Sequence, residues 1–241
     1  MPDKGRRSTA LPVRKLIAIP LLFAGYCCHA QTVSPVIEQY RGQAEGKIAL
    51  TNNTITPQVV VLEPRSFSVS PDGNGIYRPL DPGIHVKLSS MSFRIDPGLT
   101  YYVFYKAKAD KLPAWFTIYA AFSTVNHPSD LVVRILLPHT VYMYSRKPRW
   151  KEDTLDVKQA TYFSKSRQIV CDLANNSPDL ERVEEVLISS QSKTITAAGF
   201  PMLPGSKRHL EVTWRETELP RRVILRMGRS SLKLTVSTDD Q

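Results

Sequence analysis

The sequence predicts an all-β chain folded as two sandwich domains in tandem. Many runs of four to eight β-branched and aromatic residues are separated by Gly, Pro, Asn and Asp, as in Lys47–Asn53, Gln58–Pro64, Tyr101–Ala109, Trp115–Ser123, Arg167–Asn176 and Arg222–Gly228. Helical periodicity is scarce, and the one window that carries it, Asp179–Ile188, is short. The third observation is an internal repeat. Ile48–Thr54 and Val170–Ser177 are both strand-like and both end in Asn-Asn, and Pro57 and Pro178 follow. Phe93–Gly98 and Phe200–Gly205 then share the pattern Phe-x3-Pro-Gly. Leu112-Pro113 and Leu219-Pro220 each lie 14 residues beyond the glycine of that pattern, and each precedes an apolar strand. A fixed register of this kind is the mark of a duplicated unit. It divides the chain into a leader, a first domain over 31–147 and a second over 148–241.

The leader comes first in the chain. Arg6, Arg7, Arg14 and Lys15 precede the uncharged apolar run Leu16–Tyr26, and Cys28-His29-Ala30 supplies small residues at the ends of a cleavage triplet. This order reads as a secretory signal peptide over 1–30, which places the mature chain across the inner membrane, in the periplasm. A lipoprotein site at Cys27 or Cys28 ranks second, because Ala24-Gly25-Tyr26 misplaces the small residues. The apolar run falls short of the roughly 20 residues that span a bilayer as a helix. No later run reaches that length without charge, so no integral membrane segment is expected after cleavage.

Of the 32 basic residues five lie in the leader, and of the 22 acidic residues one does. The remainder, 27 against 21, carries a net charge of +6. The basic residues are scattered, with no cluster interleaved with stacking aromatics, so no nucleic-acid partner is expected. Such a surface can still steer towards acidic partners. Of the three cysteines only Cys171 follows the leader, so no intrachain disulfide can form and stability must come from buried area. Within its strand-like run Cys171 is expected as a buried, inert thiol.

Motifs for catalysis are missing. No Gly-rich phosphate loop, His-Glu-x-x-His, Gly-x-Ser-x-Gly or Cys-x-x-Cys occurs after the leader. His85, His127, His139 and His209 are far apart and share no ligand spacing, so neither a metal nor another cofactor is expected, and the protein reads as a non-enzyme. His139 reads as a satisfied or exposed strand residue. Asp72 and Asp81 sit in turn sequences, where backbone capping accounts for them. Asn52-Asn53-Thr54 and Asn175-Asn176-Ser177 match the glycosylation pattern, but turn formation explains both. Ser145–Arg149 is polar with a stiffening Pro148 and reads as a hinge.

The most distinctive stretch is Leu131–Tyr144, where Arg134 is the one charged side chain. Val133, Ile135, Leu137, His139, Val141 and Met143 share one face of such a strand. Pro138 has no N–H for a ladder, so the strand is either at an edge or bulged there. A long apolar edge is an aggregation hazard unless it exists to pair with another chain. The alternative is an ordinary strand inside a closed sandwich.

Several segments, in order, resemble the PapD-like periplasmic pilus chaperones. These are Val33-Ser34-Pro35, Gly42, the strand Ile48–Thr54, Ser92–Gly98, Lys111-Leu112-Pro113, and Ile135–Pro138 running through Tyr144–Pro148 into the hinge. The resemblance implies two immunoglobulin-like domains and a chaperone that caps a pilus subunit lacking its last strand. The chaperone lends an edge strand whose alternate apolar side chains fill the subunit's groove. Val133, Ile135 and Leu137 fall at groove-filling positions, with Val141 further along the same face. The family also anchors the subunit's terminal carboxylate with two basic residues. The matching positions here, about Ile37 and Val141 or Tyr142, are not basic. Arg41, Lys47 and Arg146 lie nearby, and Arg41 and Arg146 are taken as candidate anchors. The implied partners are secreted pilus subunits and an outer-membrane usher. A secreted immunoglobulin-like structural or adhesive surface protein is the alternative.

Overall fold

The computed structural model describes residues 30–124, 134–145, 155–228 and 230–239. All but Ala30 of the expected signal peptide, nearly all of the expected hinge and the boundary at 147/148 lie outside the described residues.

The chain is all-β. Ten strands precede residue 145: β1 (Thr32–Ser34), β2 (Ile37–Arg41), β3 (Ala44–Thr51), β4 (Gln58–Val69), β5 (Gly75–Pro79), β6 (Ile84–Leu88), β7 (Ser92–Ile95), β8 (Thr100–Ala109), β9 (Ala114–Thr124) and β10 (Arg134–Tyr144). They form a four-stranded sheet, β1-β3-β8-β6, and a six-stranded sheet, β2-β10-β9-β4-β5 with β7 beside β4. Alternation puts Ile48, Leu50, Val103 and Tyr105 of the first sheet against Val60, Leu62, Phe116, Ile118 and Phe122 of the second.

Eight strands follow: β11 (Leu155–Val157), β12 (Ala160–Phe163), β13 (Gln168–Asn175), β14 (Glu181–Ser189), β15 (Thr194–Met202), β16 (Lys207–Thr213), β17 (Arg222–Met227) and β18 (Ser230–Asp239). They make one sheet, β11-β13-β12-β18-β17-β14-β15, with β16 on β13. Its two ends close over a core in which Ile169, Cys171 and Leu210 meet Val186, Ile188, Leu225 and the fully buried Trp214. Cys171 is buried as expected, and burial pushes its thiol up to about 11.

The window Asp179–Ile188 is not helical. It contributes β14, whose buried positions are Val183, Val186 and Ile188. The spacing of three arises where β14 and its neighbour β15 both change face: Ile195 and Ala197 pack inwards before the change, Phe200 and Met202 after it. At that point Gly199 lies so close to β14 that a Cβ would come within 2.1 Å of the Val183 carbonyl oxygen. A local face change thus imitates helical periodicity.

The repeat has a physical basis in two equivalent buried amides. Asn52 donates through Nδ2 to the carbonyls of Thr56 and Ile95, and its Oδ1 accepts from the Thr54 N–H and hydroxyl. Asn175 repeats the network, donating to the carbonyls of Asp179 and Met202 and accepting from the Ser177 N–H and hydroxyl. In both units the asparagine carbonyl accepts from the Pro-Gly turn, from Gly98 N–H at 2.7 Å and Gly205 N–H at 2.9 Å. Those glycines have φ of 73° and 70°, which a side chain disfavours. Both amides are fully buried and saturated, so the turn explanation holds and neither nitrogen is open to glycosylation.

A third cluster joins the sandwiches. Phe67 and Tyr142 from the first meet Leu180 and Leu203 from the second, flanked by Val69, Trp115 and Tyr144. Beside it the His209 N–H donates to the Pro71 carbonyl at 2.8 Å.

Replacing Asn52 or Asn175 by Ala removes four hydrogen bonds and strands one buried carbonyl, that of Ile95 or Met202. Each substitution is expected to lower stability by about 2–3 kcal/mol, read as a reduced urea midpoint.

Candidate functional site: the rim of β10

β10 pairs antiparallel with β9 from Arg134↔Ser123 to Met143↔Ala114. On its other side β2 pairs with it in parallel, but only from Thr140↔Ile37 to Tyr144↔Arg41. Arg134–His139 therefore has one strand neighbour and, among the described residues, no strand paired to its second side. The Thr140 N–H points away from β9, to the Val36 carbonyl at 2.8 Å. By alternation, Arg134, Leu136 and Pro138 aim their backbone groups the same way, at the bare rim. Pro138, the residue without an N–H, thus costs the β9 ladder nothing.

Side chains follow the same parity. Ile135 and Leu137 continue the core-facing row, and Ile135 is 38% exposed because the core ends before it. Leu136, on the outer face, is 54% exposed. Val133 lies outside the described residues. Val141 does not belong with these positions. It is fully buried in the first core, with Glu38 on one side and Phe116 on the other, so neither its side chain nor its backbone can reach another chain.

His139 marks the change from rim to interior. It is fully buried, and its Nδ1–H donates to the Pro35 carbonyl at 2.6 Å. Nε2 is then left to accept from the Tyr105 hydroxyl at 3.2 Å, and that hydroxyl in turn accepts from Tyr40 at 2.9 Å. Burial pulls the imidazole below its ordinary value, outweighing the Pro35 hydrogen bond and nearby Glu38, which raise it. His139 is thus a satisfied core histidine. The other described histidines are surface partners of carboxylates: His85 of Asp110, and His209 of Asp172 and Glu211. The last two sit on different ring nitrogens and do not converge, and no group of three metal-ligating residues occurs among the described residues.

The closed end of β10 opens into a cleft of about 700 Å³ between the sandwiches, lined by Gln39, Tyr40, Arg41, Tyr144, Glu181 and Arg182 among others. Arg41 ends β2 at the mouth of this cleft. Arg146 lies outside the described residues. Lys47 is elsewhere, over the Tyr102 ring on the outer face of the four-stranded sheet. The sequence reading missed Arg182. Its guanidinium lies 5.9 Å from the Tyr142 ring centroid, and its buried Nη1 has no hydrogen-bond partner among the described residues. Opposite-charge pairing does not predict it, because it belongs to the second sandwich, far from β10 in sequence.

No family model matches the sequence, and no curated protein matches it either. Solved structures do. The chain is similar to the YadV chaperone at 11% identity and a TM-score of 0.52, covering 85% of this chain and 99% of that one. The Salmonella enterica complex of SafA pilin with the SafB chaperone gives 13% identity and a TM-score of 0.52, with 86% and 96% covered. The class 5 fimbriae chaperone CfaA gives 10% identity and a TM-score of 0.50, with 86% and 99% covered. At these identities the likeness is one of fold: the chain has the two-domain architecture of the fimbrial chaperones.

Neutral His139 is the form the fold selects. Its contribution to stability is therefore complete above the ordinary imidazole value of 6.5 and is lost as pH falls through the lower folded-state value. The urea midpoint of the wild-type protein is expected to fall between about pH 7.5 and pH 5 more steeply than that of His139→Gln. Comparing the two proteins cancels what the other histidines contribute.

Proposed function

We propose that this chain is a periplasmic chaperone that caps secreted pilus-type subunits by lending them the bare half of β10. The observation that carries the reading is the one-sided pairing of Arg134–His139, with Ile135 and Leu136 exposed beside it. A subunit lacking a strand would pair with the rim backbone of Arg134 and Leu136. Its groove would take Ile135 and Leu137, and Val133 if the strand continues upstream. Main-chain bonds give affinity that any such subunit shares, and the alternate side chains fix register. Each side chain that becomes fully buried contributes about 1.5–3 kcal/mol. The fold shared with fimbrial chaperones, one of them solved with a pilin, supports this reading.

The cleft at the end of β10 is the proposed seat of the subunit's terminal carboxylate. Arg41 and Arg182 line it, and Arg182 has a buried donor to offer. Arg146, the other candidate from sequence, comes two residues after the end of β10. An outer-membrane usher would receive the complex.

Ile135→Asp tests the reading. Because Ile135 is partly exposed, the free protein should keep its stability to within about 1 kcal/mol. Binding of a co-expressed subunit should fall at least about thirtyfold, near 2 kcal/mol. If the variant unfolds, or binds as the wild type does, the lending reading fails. An N-terminus that still begins at Met1 in the cell would remove the periplasmic premise.

A further inference from the structure

We propose that the outer face of the four-stranded sheet is a second docking surface, for an acidic segment of a partner protein that also carries apolar side chains. On β8 the residues Tyr102, Phe104, Lys106 and Lys108 point outwards, while Val103, Tyr105 and Ala107 fill the core. Phe104 is 60% exposed and Tyr102 is 52% exposed, on adjacent outward positions of one strand. The register places lysines around them: Lys47 lies opposite Phe104, and Lys87 lies opposite Lys106. Lys47 Nζ also sits 5.4 Å from the centre of the Tyr102 ring.

The charge on this face is unbalanced. Glu45 pairs with Lys106 at 2.8 Å, and Asp110, at the end of β8, pairs with His85. Lys47, Lys87 and Lys108 have no carboxylate partner among the described residues. Like charges directly opposite each other, as at Lys87 and Lys106, destabilise a sheet, and so does leaving two aromatic rings in water. An acidic segment with apolar side chains relieves both at once: its carboxylates meet the lysines and its side chains cover the rings.

The same chemistry disfavours other occupants. The outward positions of this sheet carry lysine but no arginine, the residue suited to forked contacts with nucleic-acid phosphates. Thr51 and Thr100 lie beside Tyr102, and Thr32 and Ser34 on the next strand, so this end of the face carries hydroxyls rather than the broad apolar surface that membrane insertion needs. The face belongs to the sheet opposite β10, so occupation here leaves the β10 rim free.

The test is binding of a fluorescein-labelled peptide of alternating Glu and Leu to the full chain, followed by anisotropy. Phe104→Ser should weaken it about fivefold or more, as should replacing Leu by Ser in the peptide. Lys47→Glu combined with Lys87→Glu should weaken it further, whereas Lys233→Glu on the second sandwich should leave it unchanged. Lys47, Lys87 and Lys233 are all exposed, so the fold is kept. If Lys233→Glu weakens binding as much as the double reversal, the attraction is only that of net charge and the proposal falls. It also falls if Phe104→Ser has no effect, or if phosphatidylglycerol vesicles or oligothymidine bind the face in preference to the peptide.

Discussion

The structure turns on a mismatch of length between two neighbouring strands. β10 has 11 residues and β2 has five, so β2 can cover only the last part of β10. The reason lies upstream. The first strand of the chain is divided between the two sheets: Thr32–Ser34 pairs with β3, and the chain crosses at Pro35-Val36 to pair with β10. The crossing is fixed by two bonds from β10 itself, from His139 Nδ1–H to the Pro35 carbonyl and from Thr140 N–H to the Val36 carbonyl. What was used to close the four-stranded sheet is therefore missing from the six-stranded one, and the gap falls beside Arg134–His139. The bare rim is a consequence of where the chain changes sheet.

That origin explains what the sequence could and could not reveal. Strand positions and the duplication were legible because they are local: β-branched runs, Pro-Gly turns and Asn-Asn ends each act within a few residues. The apolar face of β10 was legible for the same reason. Side-chain alternation says which residues share a face, but it does not say where a neighbouring strand stops. Val141 and Ile135 have the same parity, yet one is sealed between β2 and β9 and the other is half in water. The difference is decided about a hundred residues away, at Pro35. Arg182 was illegible on similar grounds, since a cleft between sandwiches has no local signature. The short window of helical spacing has a different origin: a strand changes face at Glu184 and Gly199, and the altered spacing imitates another period.

The paired amides show why the duplicated frame can carry different rims. Asn52 and Asn175 each tie a strand end to the Pro-Gly turn and to the start of the next segment, using every donor and acceptor they own. Such saturation leaves little freedom at one end of each sandwich. The β10 rim lies outside that network, so its side chains can vary without disturbing the turn. Packing preserves the frame, and the surface is left to chemistry.

The second sandwich tests that separation internally. β18 pairs antiparallel with β17 over Ser230–Thr235 and then exchanges it for β12, in parallel, from Val236 onwards, whereas β10 gains β2 at Thr140 while keeping β9 as far as Met143. Its early half is thus a second one-sided rim among the described residues. Yet its outward positions are Ser231, Lys233 and Thr235, with Leu232 and Leu234 half-buried against the core. A lysine in that position blunts an edge against further pairing. In β10 the comparable stretch offers Leu136 outwards and an exposed Ile135. The two rims are alike in having one strand neighbour and differ in what they show to water, so an account of function must rest on those few side chains rather than on the fold that presents them.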